Sequence, residues 1–217
     1  MIRAIVFDFD GVLADSEPLH LAACQEVFAG LGVMLTPEFY YEHLVGYDDK
    51  GVFRIMSETY GWQLDERRVA TLVAEKSRVF EEMIATRDVF YPGAAAAVER
   101  LARVFPLGIA SGALKHEIEM VLRNAGLAAQ FRFIVASGDT PESKPAPDPY
   151  VLAAQLHGTP PDACVAIEDS RWGIASAKAA GMKCVGITNT YPASELTAAD
   201  AVISSLTEFT EELILSL

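Results

Sequence analysis

Asp8 and Asp10 flank Phe9 at the end of an apolar run that starts at Arg3, and Gly11 follows at once. Two acids at that spacing are, alone, mostly surface charge. Here other polar groups arrive behind later apolar runs in the same way: Ser111-Gly112, then Ser137-Gly138-Asp139 with Lys144 in a proline-rich loop beyond it, then Glu168-Asp169. Singly, Ser111 reads as a turn residue, Lys144 as a solvated loop lysine, and Glu168-Asp169 as an acidic cap for a helix starting near Arg171. Their joint arrival at successive strand ends outweighs these separate readings. Converging carboxylates repel unless a hard cation neutralises them, and oxygen ligands with room for water suit Mg²⁺. Such a cation lets an acidic pocket hold a phosphate dianion, with Lys144 and the Ser111 hydroxyl balancing the remaining oxygens. Asp8, the first acid behind the strand, is then placed to attack phosphorus and form an aspartyl phosphate. Asp10 would protonate the leaving oxygen and later deprotonate the hydrolytic water, and Gly11 lets the chain turn sharply behind both. A calcium EF-hand is excluded, because no spaced ligand set follows Gly11.

The elements that must position these groups are legible in the hydrophobic pattern. Arg3 to Phe9 is short, apolar and rich in β-branched residues, as a strand covered on both faces should be. From Ser16 to about Asp88 the periods are helical only: Glu17 to Leu31, Pro37 to Val45, Asp49 to Tyr60 and Asp65 to Ala85. After Tyr91-Pro92-Gly93 helices and strands alternate. Strands are expected at Leu107–Ala110, Arg132–Ala136, Cys164–Ile167 and Cys184–Ile187, a last edge strand at Ala201–Ser204, and a last helix at Leu206–Leu215. Repeated strand–helix units mean an α/β fold with a doubly wound parallel sheet. The helical block has no strands of its own, so residues 16–89 read as an inserted subdomain and residues 1–15 with 90–217 as the sheet-bearing core. In an open parallel sheet ligands bind beyond the carboxyl ends of the strands, which is where the polar residues above fall.

Composition narrows the partners. The 217 residues are 51% hydrophobic and carry a formal net charge of -13, which argues against binding to nucleic acid or an anionic membrane surface. No run approaches the ~18 apolar residues of a membrane span, and the N-terminal apolar run stops at Asp8, too soon for a signal peptide. Three cysteines without a C-x-x-C suggest reduced core thiols, and a cytoplasmic monomer or weak dimer is expected.

The segment Asp8-Phe9-Asp10-Gly11-Val12-Leu13-Ala14-Asp15-Ser16-Glu17 resembles the first motif of the haloacid dehalogenase superfamily, in its phosphatase and phosphomutase branch. Ala110-Ser111-Gly112, Lys144-Pro145 and Ile167-Glu168-Asp169-Ser170 resemble the second, third and fourth motifs, in order. The resemblance spans essentially the whole chain. It implies a Rossmann-like core with a helical cap inserted after the first motif. It also implies Asp8 as nucleophile and metal ligand, Asp10 as acid/base that binds the metal through its carbonyl, Asp169 as metal ligand with Glu168 close by, and Ser111 and Lys144 on the phosphoryl group. The dehalogenases lack the second acid of the first motif, so Asp10 argues against dehalogenation.

The resulting expectation is a Mg²⁺-dependent phosphatase for a small phosphorylated metabolite, with β-phosphoglucomutase-type transfer as the alternative. Specificity should come from the cap, where His20, Gly46, Asp49, Lys50 and Lys76 are the candidates. His20 resembles the hinge histidine of the mutase, although the same run occurs in phosphatases of the branch. Lys76 interrupts an apolar helical stripe, so it either snorkels at the edge of a packed face or reaches a substrate group. Mutases carry an arginine three positions after the cap-loop glycine to grip a second phosphate. Here that position is Asp49, which would repel it, with Lys50 or Arg54 as the nearby substitutes. A phospho-acceptor signalling domain also uses an acidic cluster, a hydroxyl and a lysine on a parallel sheet, but lacks a long helical block after its acceptor.

Overall fold

The computed structural model describes residues 1–45, 47–85 and 87–217. The chain divides into two compact units, one of Met1–Asp15 with Val89–Leu217 and one of Ser16–Asp88.

The first unit is built on six parallel strands, β1 (Ala4–Phe7), β2 (Leu107–Ala110), β3 (Phe131–Val135), β4 (Cys164–Glu168), β5 (Lys183–Ile187) and β6 (Ala201–Ile203). They lie in the order β3-β2-β1-β4-β5-β6. Every residue of β1, β2 and β4 is buried, as central strands covered on both faces require. Helices α5 (Ala94–Ala102), α6 (Lys115–Asn124), α7 (Asp148–His157) and α8 (Arg171–Ala179) connect the strands, and α9 (Glu211–Ser216) ends the chain. The winding runs outward from β1 through β2 to β3, then returns to β4 on the other side of β1. That reversal opens a crevice at the carboxyl ends of β1 and β4.

The second unit carries α1 (Glu17–Gly30), α2 (Pro37–His43), α3 (Asp49–Thr59) and α4 (Glu66–Ile84). Its own core packs Cys24, Phe28, Leu44, Phe53, Met56 and Leu72, all 1% exposed or less. The side chains of Thr36, Asp48 and Asp65 cap α2, α3 and α4. Where the chain enters and leaves this unit, the two crossing segments pair within the first unit. Asp15 N–H donates to Val89 O at 2.7 Å, and Tyr91 N–H to Leu13 O at 3.0 Å.

The expected α/β parallel sheet is present, with most ends displaced by a residue. The main departure is α9, which begins at Glu211 rather than Leu206. Thr210 supplies the cap, its hydroxyl accepting from Leu213 N at 3.2 Å. The preceding residues turn instead: Ser204 Oγ bonds Glu208, Phe209 is fully buried, and Arg100 donates to the Phe209 carbonyl.

Candidate active site

The ladder between β1 and β4 runs one residue past β1, where Asp8 N–H donates to Ile167 O at 3.0 Å. Asp8 therefore leaves the sheet beside Glu168 and Asp169, and carboxylate oxygens of all three lie within 4.8 Å of one another. All three residues are buried. Lys144 reaches this group from the loop before α7, with Nζ 3.0 Å from Asp8 Oδ1 and 2.6 Å from Glu168 Oε1. The Lys144–Pro145 peptide is cis. Tyr150, in the first turn of α7, donates its hydroxyl to Glu168 Oε1 at 2.6 Å.

The electrostatics are unbalanced toward negative charge. Burial and the neighbouring Asp8 push Glu168 up to about 7, although Lys144 and Tyr150 pull the other way. Burial also pushes Asp169 well above the usual carboxylate range, reinforced by Asp8 and Glu168. Burial alone would lower Lys144, but Asp8 and Glu168 outweigh it and keep the ammonium charged. Lys144 pairs with two of the three acids, Asp8 and Glu168.

Two glycines leave the room these acids occupy. Gly11 has φ +76°, and a Cβ there would overlap the Asp169 carboxylate. A Cβ on Gly173, in the first turn of α8, would overlap the carboxylate of Glu168. Gly11 also closes the turn behind Asp10, its N–H donating to Ala14 O at 2.9 Å. Asp10 is half-buried in that turn, and its carboxylate is outside the clustered three. Ser111 stands just past β2, buried, with Oγ accepting from Ala113 N at 3.1 Å. Gly112 lies in the same turn, where a Cβ would meet nothing within 4 Å.

A second polar cluster lies inside the helical unit. Lys76 of α4 places Nζ 2.9 Å and 3.0 Å from the two oxygens of Asp49, the first residue of α3, and 2.6 Å from His20 Nδ1 of α1. The His20 and Phe80 rings stack at 4.1 Å. Burial, with the Lys76 charge beside it, holds His20 well below its usual range. Lys76 does not snorkel: its side chain is 1% exposed. Lys50, next along α3, is exposed, and Arg54 pairs with Glu66 at 2.8 Å. Gly46 lies outside the described residues.

The family model for haloacid dehalogenase-like hydrolases matches residues 2–181. The chain belongs to that family. Among curated relatives, the hydrolase is 33% identical over 213 residues to protein CbbY of Rhodobacter capsulatus, with 94% of each chain covered. It is 34% identical over 218 residues to hexitol phosphatase B of Escherichia coli K12, covering 96% of this chain and 95% of that one. A crystal structure of a CbbY mutant from Rhodobacter sphaeroides with xylulose-(1,5)bisphosphate superposes with a TM-score of 0.86 at 30% identity, covering 96% of each chain.

In this hydrolase Asp8 behind β1, Glu168 and Asp169 at the end of β4 and Lys144 from the loop before α7 meet in one group, while the Asp10 carboxylate is outside the three clustered acids. The donor set fits a hard divalent cation: it is all oxygen and short of positive charge, and Gly11 keeps the space beside Asp169 clear. Three residues around the site escaped sequence reasoning. Thr190 bonds the Asp169 carboxylate, and Asn189 donates to Gly11 O at 2.8 Å. Both follow β5, so the strand-end rule that found the others applies to them too. Tyr150 carries no such signal, because an aromatic residue in the first turn of a buried helix reads as core.

Proposed function

We propose that this hydrolase is a Mg²⁺-dependent phosphatase acting on a small phosphorylated metabolite through an aspartyl-phosphate intermediate. The observation that carries this reading is the Asp8–Glu168–Asp169 group with Lys144 bridging two of its acids. Asp8, Asp169 and the Asp10 carbonyl would hold the ion, with Glu168 close by. Mg²⁺, when bound, would neutralise the acids and screen the incoming phosphate dianion.

The chain's own residues do the rest. Asp8 is held by its backbone bond to β4 and by Lys144, and one of its carboxylate oxygens would attack the incoming phosphorus. Lys144 and Ser111 would then take phosphoryl oxygens as negative charge builds on them. Asp10, two residues beyond Asp8, protonates the departing alkoxide. It then takes the proton of the water that opens the aspartyl phosphate. Glu168 is held by Lys144 and Tyr150 and so keeps the lysine in place. The curated relative named hexitol phosphatase B supports a small phosphate ester as substrate.

The test is phosphate release from a panel of phosphorylated metabolites with and without Mg²⁺, with Asp8→Asn as the blank. Release that needs Mg²⁺ and falls at least about 10³-fold in the variant is expected for loss of a nucleophile. Isomerised sugar without free phosphate would indicate mutase-type transfer instead. A stable phosphoenzyme without turnover would indicate a signalling domain.

A further inference from the structure

We infer that Asn189 is a positioning residue for the acid/base step: by holding the Gly11 carbonyl, it fixes the turn from which Asp10 delivers its proton. The inference rests on the phosphatase reading above, with Asp10 as the acid, and adds to it a group from the loop after β5.

A general acid works only when its proton meets the leaving oxygen at hydrogen-bond distance, and a misplacement of about 1 Å can cost about 10²-fold. Asp10 lies beyond the end of β1, in a turn held by its own backbone bonds. Phe9 O accepts from Leu13 N–H at 2.9 Å and from Ala14 N–H at 3.0 Å, and Gly11 N–H donates to Ala14 O at 2.9 Å. The far end of the turn is tied to the returning chain through Tyr91 N–H on Leu13 O and Asp15 N–H on Val89 O. The near end, next to Asp10, is tied by Asn189, whose Nδ2 donates to Gly11 O at 2.8 Å. A carbonyl only accepts, so it is the amide nitrogen of Asn189 that faces it.

Asn189 is itself well anchored. It stands two residues past β5, and the residue between, Thr188, donates its N–H to Ile203 O of β6 at 3.0 Å, so the sheet reaches to within one residue of the amide. On its other side Thr190 bonds the Asp169 carboxylate. Two consecutive side chains thus tie the Asp10 turn and an acid at the end of β4 to one short segment. A half-buried asparagine in a turn ordinarily bonds backbone a residue or two away, whereas this one reaches across 178 positions to the turn that carries the acid.

The chemistry supplies a readout that separates positioning from general damage. An alkoxide leaving group needs the Asp10 proton, whereas p-nitrophenolate departs without one. The experiment compares kcat/KM for p-nitrophenyl phosphate with kcat/KM for whichever alkyl phosphate of the metabolite panel the wild type hydrolyses fastest, in the full-length wild type and in Asn189→Ala, with Mg²⁺. The alkyl ester should lose about tenfold and the aryl ester less than about threefold, as expected when a general acid is displaced rather than removed. In an Asp10→Asn background, Asn189→Ala should cause no further loss, because the two residues act as one unit. Should Asn189→Ala fail to give a cooperative melting curve, Asn189→Asp takes its place, since it keeps the shape and withdraws the donor. Equal losses on the two esters, no loss on either, or a further loss in the Asp10→Asn background overturns the inference and leaves the phosphatase intact. No turnover of either ester by the wild type overturns the phosphatase reading, and the inference with it.

Discussion

Gly173 shows how a single hydrogen atom in place of a methyl group maintains the acidic group. It stands in the first turn of α8, where its N–H donates to Ser170 Oγ at 3.1 Å. Alanine would gain about 1 kcal/mol in helix propensity. Against that, the added Cβ would overlap the fully buried Glu168 carboxylate, and overpacking of this kind costs about 1–3 kcal/mol. The carboxylate cannot yield easily, because Lys144 and Tyr150 both hold it. Steric cost therefore wins. Gly173→Ala should unfold at lower urea concentration than the wild type and turn over more slowly as Lys144 is displaced. A variant as stable and active as the wild type would show that Glu168 has room to move. Nothing in the sequence marks Gly173, which reads there as a weak point in an ordinary helix.

At the scale of elements, the strands were legible because central strands of a parallel sheet must be apolar throughout, and the polar residue ending each run advertises itself. Asp8, Ser111, Glu168 and Asp169 were found in this way. Contacts made by one helix onto another strand's end were not. Tyr150 meets Glu168 across 18 positions, and Lys76 meets Asp49 and His20 across 27 and 56. The Lys76 stripe announced an exception in α4 without naming its partners. That three-helix contact makes a prediction about pH. His20 is held neutral in the folded unit by burial and by Lys76, whereas in the unfolded chain it titrates near 6.5. The unfolded state binds the proton first. The stability His20 contributes is therefore complete above pH ~6.5 and declines as pH falls below it, by at most about 1.4 kcal/mol per pH unit. Lys76 of α4, itself paired with Asp49 of α3, is a charged neighbour that adds to the effect of burial. Denaturant melts between pH 7.5 and 5.5 should show this slope in the wild type, and His20→Gln should flatten it. Parallel slopes in the two proteins would refute the assignment.

For the whole molecule the governing quantity is negative charge, a net -13 of which three carboxylates are concentrated at one crevice. The fold brings these acids together because β1 and β4 are neighbours on either side of the winding reversal, and both end in acids. Without a cation, the raised proton affinity of Asp169 means that its ionised form is held at a cost. Asp169→Asn should therefore melt at least as high as the wild type in chelator. In Mg²⁺ the order should reverse. An ion that binds only the folded state at 100 times its Kd adds about 2.7 kcal/mol, which for a chain of this size corresponds to roughly 5–10 °C in Tm. The wild type should gain that shift and Asp169→Asn little of it, because the variant has lost one of the three clustered acids. Thermal melts of both proteins in EDTA and across a Mg²⁺ titration decide the matter. A Tm that rises equally in both would mean that Mg²⁺ acts on the acidic surface at large. No rise in the wild type would mean that the crevice holds no such ion, and that its acids rely on pairing of the kind Lys144 makes with Asp8 and Glu168.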